Sequence, residues 1–426
     1  MIDPQLIKTD LEIIETNLKK RDLKIDLQNL KKLDEERRES KFESEKLRSD
    51  QKKLGKEIAS SDEDEKNKLL QKAEKLSQKV KKLTEETQKK EEEFLNEWIK
   101  IPNIVNSSSP VGKTDADNKE LKQVGKPKDM KNPLSHLDIG ERLGLIDVEK
   151  ASSVSGSRFS YLFGDLVKMQ FNLVSYAINK LSEKGFNPTI PPVLVRENAL
   201  FGTGFFPDDS DQVYEIPNDD LFLVGTSEVS LAALHGDEIL DFDKLPIRYA
   251  GYSTCFRREA GTYGKDTTGI FRVHQFDKVE MFSFCNPEKS EEEHEFILSV
   301  EEEILEELEI PYRVVDVCTG DLGSSAAKKF DIEAWIPSQN TYREVTSCSN
   351  TTDFQARRLN IRTKVEKDTA LLHTLNGTAI AVGRILIALL ENNQTEDGGV
   401  EFSESLGNIL GAVSYTHLTL PTTSPV

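Results

Sequence analysis

The amino-terminal quarter of the chain carries a heptad pattern that strongly limits how it can fold. From Leu69 to Phe94, apolar or small residues recur in alternating steps of four and three, with lysine and glutamate between them. A less regular seam runs from Leu30 to Ile58. Because only a short polar turn separates the seams, we expect two long helices within about residues 28–98 that fold back as an antiparallel coiled-coil hairpin.

The turn between the seams reads "SSDEDE", in which Ser61 or Asp62 could cap the second helix. Counted along the sequence, residues 1–100 hold 25 Lys and Arg against 25 Asp and Glu, so the net charge of -19 lies in the rest of the chain. A neutral hairpin rich in lysine can still present a basic stripe to a nucleic acid. Two interpretations stay open here: a coiled coil for dimerisation or protein interaction, and an arm that contacts a large ligand far from the main body.

Composition narrows the class of protein. With 426 residues and 37% hydrophobic content, the chain can bury a large core and form two or three folding units. The sequence shows neither a membrane-spanning apolar run nor a signal peptide, so we expect a cytoplasmic protein. The cysteines have no CxxC spacing, which predicts reduced thiols and no zinc site; they are Cys255, Cys285, Cys318 and Cys348.

Beyond the hairpin, the sequence divides into a linker and a mixed domain. Residues 101–135 are polar, contain Pro, Ser and Gly, and lack a sustained period, as in a linker with short ordered pieces. From residue 136 to 411, helix-like and strand-like blocks alternate, and one helical block ends on Gly185, a plausible C-cap. We therefore predict an α+β fold with an antiparallel sheet, in which residues 136–411 form the main domain.

The stretch "CFRREAGTYGKDTTGIFRVHQFDKVEMF", residues 255–282, reads as a β-hairpin with a long glycine-rich connection. Residues two apart on such a hairpin share a face, so we expect Arg257 and Glu259 to share one face, and Lys278 and Glu280 to share a face of the return strand. An isolated hairpin of this kind is more often a solvated surface than a site. The alternative is that these charges face a charged ligand.

Three further segments offer polar groups for a ligand. Arg384 falls within the apolar helical block "TAIAVGRILIALLEN", and an anionic ligand or a core carboxylate would explain it equally well. The segment "YREVTSCSN" carries Glu344 and several hydroxyls, and on a regular strand Glu344 and Thr346 share a face. Such hard oxygen ligands suit Mg²⁺ and a nucleotide. The segment "LVGTSEV" adds Thr226 and Glu228, which can hold a hydroxyl and an ammonium group.

Taken in order, these motifs resemble those of seryl-tRNA synthetases of the bacterial type, which are class II aminoacyl-tRNA synthetases. The resemblance rests on "GFNPTIPPVLV" as motif 1, "GTSEV" as the serine loop, "CFRREAG" through "IFRVHQFDKVEMF" as motif 2, "EVTSCSN", and "LNGTAIAVGRILIALLENNQ" as motif 3. It covers the chain from residue 1 to about residue 400. The helical hairpin, within residues 1–100, matches the family's tRNA-binding arm.

The resemblance implies a serine–tRNA ligase that forms seryl-adenylate from L-serine and ATP with Mg²⁺, and then transfers serine to the 3′ end of tRNA(Ser). It raises the question of whether tRNA(Sec) is charged as well. It also implies a class II catalytic domain, contact of the arm with the long variable arm of the tRNA, and a homodimer formed through motif 1. This chemistry needs no protein nucleophile.

The family's functional positions fall on matching residues of this chain. The implied catalytic residues are Arg257, Arg384 and Glu344. The implied ATP-binding residues are Arg257, Arg258, Glu259, Val273, Glu344, Val345, Thr346, Ser347 and Arg384. The implied serine-binding residues are Thr226, Ser227, Glu228, Arg257, Glu280 and Thr378. Glu344 and Ser347 match the magnesium ligands.

Residues 412–426, "AVSYTHLTLPTTSPV", match nothing in the family. We expect them to be an unrelated tail added artificially, in which His417 has no functional weight.

Three other interpretations are weighed against the resemblance. A synthetase-like paralogue that charges a carrier protein usually lacks the long arm. A non-catalytic RNA-binding scaffold would not need Arg257, Glu344 and Arg384 together. Another class II specificity, such as threonine or proline, would be accompanied by an anticodon-binding domain after motif 3.

Overall fold

The computed structural model describes residues 1–261, 269–412 and 414–415. Within those ranges, no helix combines the length and the hydrophobicity needed to cross a membrane. The glycine-rich connection at 262–268 and most of the expected tail, including His417, lie outside the described residues. Contacts divide the chain into two compact units, Met1–Ile104 and Val105–Val426. All four cysteines are buried and none forms a disulfide, as predicted.

The first unit is helical. Its helices are α1 (Leu6–Thr9), α2 (Leu11–Lys20), α3 (Leu27–Ser60) and α4 (Glu63–Trp98). The two long helices pack against each other, and only Ser61 and Asp62 separate them, which confirms the predicted hairpin. At about 1.5 Å per residue, α3 is roughly 50 Å long. The Asp62 carboxylate accepts a hydrogen bond of 3.1 Å from the backbone N–H of Glu65 and so caps α4.

Polar contacts fill the positions where the first heptad seam is irregular. Ser40 Oγ lies 2.7 Å from Thr87 Oγ1 across the hairpin. Asp34 is 1% exposed and is ion-paired to Arg37 and Arg38 on its own helix. The buried hydroxyls and carboxylate therefore have partners, which allows α3 to pack closely without an unbroken apolar seam.

The second unit contains both helices and strands. Its helices are α5 (His136–Arg142), α6 (Val148–Ser155), α7 (Asp165–Glu183), α8 (Glu197–Thr203), α9 (Glu228–Ala233), α10 (Ser290–Glu307), α11 (Phe354–Arg358), α12 (Val382–Asn392) and α13 (Glu404–Leu410). Its strands are β1 (Lys119–Val124), β2 (Ile146–Asp147), β3 (Tyr161–Leu162), β4 (Asn187–Thr189), β5 (Leu194–Val195), β6 (Tyr214–Ile216), β7 (Leu221–Leu223), β8 (Ile239–Asp241), β9 (Ile247–Phe256), β10 (Gln275–Cys285), β11 (Tyr312–Asp316), β12 (Lys328–Ile336), β13 (Thr341–Asn350), β14 (Arg362–Val365), β15 (Asp368–Leu371), β16 (His373–Ala381), β17 (Val400–Glu401) and β18 (Ser414–Tyr415).

An eight-stranded sheet organises this unit, in the order β1-β11-β12-β13-β16-β10-β9-β4. Every neighbouring pair is antiparallel except β4 beside β9. Helices α7, α10 and α12 pack against the sheet, and the core between them includes Leu173, Met281, Ile304 and Leu386. The predicted α+β fold with an antiparallel sheet is confirmed.

Two segment bounds differ from the sequence prediction. Strand β9 ends at Phe256, so Arg257 and Glu259 lie beyond the strand. The prediction that they share a strand face is therefore wrong. Glu259 has a φ of 49°, a left-handed conformation that turns the backbone and ends the regular alternation. The helix that carries Arg384 begins only at Val382, because the preceding residues 378–381 belong to β16.

Three other segments can be compared with their sequence predictions: the end of α7, the expected linker and the expected tail. Gly185 follows the end of α7 with a φ of 85°, as expected of a residue that terminates a helix in a left-handed conformation. Within the expected linker at 101–135, strand β1 is an edge strand of the main sheet and so belongs to the second unit. In the expected tail, Ser414 and Tyr415 pair with Val400–Glu401.

A one-residue bulge at Val345 changes which side chains of β13 share a face. The register against β12 shifts between Glu344 and Thr346, so that Val345 is the extra residue. Glu344 and Thr346 therefore do not share a face, and the expectation from regular alternation is wrong. Instead, the bulge places Glu344 on the same face as Ser347.

A carboxyl group lies in the core between α10 and the sheet. Glu301 is fully buried, and its polar neighbours on β13 are Thr346 and Cys348. Neither carboxyl oxygen makes a hydrogen bond of good geometry within the described residues. Burial raises the pKa of Glu301 well above its usual value, and the carboxylates of Glu280 and Asp331 add to this effect. The folded protein therefore favours the protonated, neutral form of this carboxyl group.

Replacing Glu301 with glutamine should stabilise the protein increasingly as the pH rises. The pKa of Glu301 is higher in the folded than in the unfolded chain. The wild type therefore loses stability as the pH rises above about 4.3, the pKa of a glutamate in the unfolded chain. Glutamine ionises in neither state. Urea unfolding between about pH 5 and pH 8 should therefore show a free energy of unfolding, variant minus wild type, that increases with pH.

The control is Glu295→Gln, an exposed position on the same helix. The difference in the free energy of unfolding between this variant and the wild type should stay constant over this pH range. A pH-independent difference for Glu301→Gln would contradict a neutral Glu301 in the folded protein.

Candidate functional site

Two adjoining cavities of the second unit contain most of the predicted site residues. The first has about 640 Å³ of empty space and the second about 780 Å³. Both are lined by Arg257, Lys278, Ser347 and Thr378, so the two spaces are parts of one cleft. The other predicted residues that line the first cavity are Glu259, Val273, Glu344, Val345, Thr346 and Arg384. The other predicted residues that line the second are Thr226, Glu228 and Glu280.

Arg257 lies at the junction of the two cavities and is held from several sides. Its Nε donates a hydrogen bond of 3.1 Å to the carbonyl of Gly225, and its guanidinium carbon is 5.3 Å from the centroid of the Phe276 ring. Its own carbonyl oxygen lies 2.9 Å from Nδ1 of His274. Among the described residues only Nε is used, which leaves the two Nη groups for an anion in the cleft.

Arg384 and Glu344 form the opposite charged pair of the first cavity. Arg384 lies in the first turn of α12, where its Nη1 donates to the Glu344 carbonyl at 2.9 Å and lies 3.3 Å from Glu344 Oε1. The Arg384 guanidinium carbon is 4.9 Å from the centroid of the Phe271 ring. The Glu344 side chain is 45% exposed, so this pair lines the cleft and is not the core ion pair that the sequence also allowed.

The electrostatic surroundings keep Glu344 ionised. Enclosure by protein would raise the pKa of Glu344, but the positive charges of Arg384, Lys329 and Arg257 lower it to about 2. The carboxylate is therefore charged throughout the physiological range, and it balances part of the positive charge around it.

Glu344 and Ser347 fit the chemistry of a magnesium site. They supply two hard oxygen groups, and the Val345 bulge places both on one face of β13. Mg²⁺ in proteins commonly takes one or two such ligands and completes its shell with water and substrate phosphates. The partial exposure of Glu344 leaves room for that shell.

The second cavity has a deep negative end formed by two glutamates. Glu228 accepts hydrogen bonds from Gln355 Nε2 at 2.8 Å and from Asn376 Nδ2 at 2.9 Å. Glu280 is ion-paired to Lys278 and accepts a bond of 3.3 Å from the Thr378 hydroxyl. This end of the cavity combines fixed carboxylates with a small hydroxyl side chain, which suits a small ligand that carries an ammonium and a hydroxyl group.

The two glutamates differ in their charge balance. Burial, together with the neighbouring Glu280 carboxylate, raises the pKa of Glu228 to about 7, although the hydrogen bond from Gln355 opposes the shift. Glu280 has the ammonium of Lys278 against it. A cationic ligand group placed beside Glu228 would favour its ionised form.

Two of the predicted residues are placed outside the lining of both cavities. The Arg258 guanidinium carbon lies 5.9 Å from the centroid of the Tyr214 ring, and its backbone N–H donates to the carbonyl of Gln212. The Ser227 side chain is fully buried, with its hydroxyl 3.3 Å from the carbonyl of Gly251. Neither residue lines the cleft. Their contacts instead hold neighbouring elements: Arg258 contacts Tyr214 and Gln212, and Ser227 contacts Gly251.

Several residues of the cleft were missed as site residues in the sequence. Lys278 was noted only for its charge, and Phe271 and Asn376 lie inside the quoted motifs without having been selected. Lys329 lies outside every motif, and no sequence signal identified it. All four line the cleft. For Phe271, the signal was an aromatic residue next to the motif 2 arginine at position 272.

Two family models match the chain. The model described as "Seryl-tRNA synthetase N-terminal domain" matches residues 1–105. The model described as "tRNA synthetase class II core domain (G, H, P, S and T)" matches residues 213–393, which include both arginines and all the glutamates of the cleft. The matched ranges thus contain the helical hairpin and the candidate site.

Individual proteins match over nearly the full chain. "Serine--tRNA ligase" of Acidothermus cellulolyticus is 48% identical over 413 residues, which are 96% of this chain and 98% of the relative. "Serine--tRNA ligase 1" of Streptomyces avermitilis is 50% identical over 382 residues, 89% of this chain and 90% of the relative. The crystal structure of seryl-tRNA synthetase from Pyrococcus horikoshii complexed with ATP has a TM-score of 0.89 and 40% identity, covering 98% of this chain and 100% of that one.

Proposed function

The chain belongs to the seryl-tRNA synthetase family, and from this premise we propose that it forms seryl-adenylate from L-serine and ATP and transfers serine to the 3′ end of tRNA(Ser). One observation carries the proposal: a double cleft joined at Arg257, with arginines on one side and buried carboxylates on the other. The bound ATP of the Pyrococcus horikoshii relative supports ATP as the nucleotide.

The two halves of the cleft suit the two substrates of the first step. A carboxylate oxygen of serine attacks the α-phosphorus of ATP and pyrophosphate leaves, so the enzyme must position two anions and neutralise the charge between them. Arg257, at the junction, binds the α-phosphate and the serine carboxylate. Arg384 contacts the triphosphate from the far side of the first cavity.

In the second step, a ribose hydroxyl of the tRNA end attacks the carbonyl carbon of seryl-adenylate, and AMP leaves. The acid anhydride already activates the carbonyl, so positioning is the main task of the protein.

Further residues of the first cavity complete the ATP site. Glu259 is fixed by an ion pair of 3.0 Å to Arg272 and binds the nucleotide from the turn after β9. Val273 contributes an apolar contact, and Val345 and Thr346 contribute backbone groups of β13. The Thr346 hydroxyl is already used, because it donates to the carbonyl of Thr378. Arg258 acts indirectly by bracing the loop through Tyr214.

We propose Glu344 and Ser347 as the residues that hold Mg²⁺. When bound, the ion would neutralise charge on the phosphate oxygens of ATP. Glu344 has a second function without it, since its carboxylate and carbonyl orient Arg384.

The glutamates of the second cavity recognise serine. Glu228 and Glu280 supply negative charge for the ammonium group, and Thr226 and Thr378 place hydroxyls around the small side chain. Ser227 supports this wall through Gly251. Buried groups that bond the substrate hydroxyl can reject an analogue lacking it by roughly 10⁴-fold, so alanine should be excluded, and cysteine is the strongest competitor.

The helical hairpin is proposed to bind the long variable arm of tRNA(Ser). Its surface is dense in lysine, and its apolar seam is half-buried between the two helices, so the outer faces of α3 and α4 are available to phosphates. We further propose a homodimer formed through motif 1, and action in the cytoplasm. As domains we propose the arm (1–100), the linker (101–135), the catalytic domain (136–411) and an unrelated tail (412–426).

A paralogue that charges a carrier protein is the main alternative in the enzyme class. The match of residues 1–105 to the tRNA-binding family's N-terminal domain disfavours it. A non-catalytic scaffold is disfavoured by the retention of the charged pair Arg384 and Glu344 at the cleft surface.

The proposal is tested by amino-acid-dependent exchange of labelled pyrophosphate into ATP without tRNA. Serine should support exchange far above threonine, cysteine and alanine, because the glutamate end of the second cavity brings two carboxylates together with the hydroxyls of Thr226 and Thr378. Equal exchange with threonine, or none with any of the four, would overturn the assigned activity. Charging of tRNA(Ser) with labelled serine then tests the second step.

Replacing Arg257 with alanine should lower the rate of serine-dependent exchange by about 10–100-fold, since one charge-assisted contact contributes about 1.5–3 kcal/mol. The matched control is Arg258→Ala, the adjacent arginine, which lies over Tyr214 and should lose at most a few-fold. Equal losses in the two variants would contradict the placement of Arg257 at the junction.

Replacing residues 30–95 by a short turn should separate the two steps. Serine-dependent exchange should stay within a few-fold of the wild type, because the described residues that line the cleft belong to the second unit. Charging of tRNA(Ser) should be abolished, because the arm supplies the tRNA contact. The exchange rate is the internal control for folding, and retained charging would refute the proposed role of the arm.

A further inference from the structure

The second cavity is larger than serine requires, and part of its wall is assigned to neither serine nor ATP in the proposed function. The groups proposed for serine gather around Glu228 and Glu280. Another part of the wall is formed by Gly323, Ser324, Ser325, Lys329 and Ser349, which we call the Lys329 wall.

Strand pairing places the Lys329 wall beyond the junction. On β12 and β13, Lys329 pairs with Ser349 and Asp331 pairs with Ser347. Ser347 lines both cavities, whereas Glu344 lines the first and Ser349 the second. A path along β13 from Glu344 to Ser349 therefore leads from the nucleotide side, through the junction, to the Lys329 wall.

Lys329 is a cation fixed in position at this wall. Its ammonium nitrogen lies 2.9 Å and 3.0 Å from the two carboxylate oxygens of Asp331, whose side chain is buried. Lys329 itself is 22% exposed and reaches the cavity. An ammonium group has three N–H donors, so the pair with Asp331 orients the lysine and still allows it to bind a ligand.

The small residues of the wall suit a sugar-phosphate chain. Glycine has no side chain beyond a hydrogen atom and serine has a short one, so both leave space in the cavity. The serine hydroxyls can donate hydrogen bonds to ribose and phosphate oxygens. The chain carries a net charge of -19, so a fixed local cation matters for any approach of RNA to this cleft.

We propose that the Lys329 wall receives the 3′-terminal nucleotide of the tRNA, with the Lys329 ammonium beside its phosphate oxygens. The inference rests on the proposed function and adds to it the place of the second substrate. Once seryl-adenylate occupies the junction, its nucleotide fills the first cavity. The attacking ribose hydroxyl must therefore reach the seryl carbonyl from the second cavity, and the Lys329 wall is the part of that cavity that serine does not use.

The test compares transfer with activation in Lys329→Met. Enzyme-bound seryl-adenylate is mixed with subsaturating tRNA(Ser) in a single turnover, and the transfer rate is measured beside serine-dependent pyrophosphate exchange. Loss of one charge-assisted phosphate contact should slow transfer by about 10–100-fold, at least tenfold more than exchange. Lys329→Arg, which keeps the cation, should recover most of the transfer rate, and the exposed Lys364→Met is the charge control.

A second readout uses tRNA(Ser) that lacks its terminal nucleotide. The wild type should bind the complete tRNA more tightly than the shortened one, and Lys329→Met should lose this difference. Unchanged transfer in Lys329→Met, or an equal loss of transfer and exchange, would overturn the inference. Failure of the proposed function would look different, because the wild type itself would then show no serine-dependent exchange.

Discussion

The period of two along a β-strand is the constraint on which the cleft depends, and two bulges break it. On β13 the extra residue is Val345, which brings Glu344 to the face of Ser347. On β16 the extra residue is Ala379, so that Thr378 pairs with Glu280. Without these bulges, regular alternation would direct part of the polar set into the core. The central strands thus carry a polar face whose side chains are spaced for substrates.

Charge balance explains why this polar face can exist inside a folded unit. Glu344 lies among three cations, Arg384, Lys329 and Arg257, and Glu280 lies against Lys278. Burying the positive charges alone, or the negative charges alone, would cost free energy. The arginines are directed by carbonyl oxygens and aromatic rings, which hold them in place and leave N–H groups for phosphates. The positive charge that remains at the junction is balanced when anionic substrates bind.

The sequence was sufficient for the elements that follow from local rules. Heptad spacing located both hairpin helices, Asp62 is the one of the two proposed caps that caps α4, and Gly185 ended a helix as predicted. It was insufficient where tertiary pairing overrides alternation. The bulge at Val345 leaves no local signature, and the turn at Glu259 depends on a left-handed backbone that glutamate rarely adopts.

The predicted site residues differ in whether they line the cleft. Arg257 and Glu344 stand in motifs and line the cleft, whereas Arg258 stands in the same motif and lies over Tyr214. Arg257 and Arg258 differ by one position, and only the first of them lines the cleft. The strand period could not predict this difference, because β9 has already ended at Phe256. Lys329 became visible only through its pairing with Ser349 across two strands.

The most direct test of the double cleft is a crystal structure of the protein with a seryl-adenylate analogue in which a sulfamoyl group replaces the phosphate. A cleft joined at Arg257 predicts that the sulfamoyl group lies beside Arg257, that the adenosine occupies the first cavity, and that the serine ammonium lies between Glu228 and Glu280. An analogue bound in the reverse direction, or bound with its sulfamoyl group away from Arg257, would refute the assignment of the two cavities to ATP and serine.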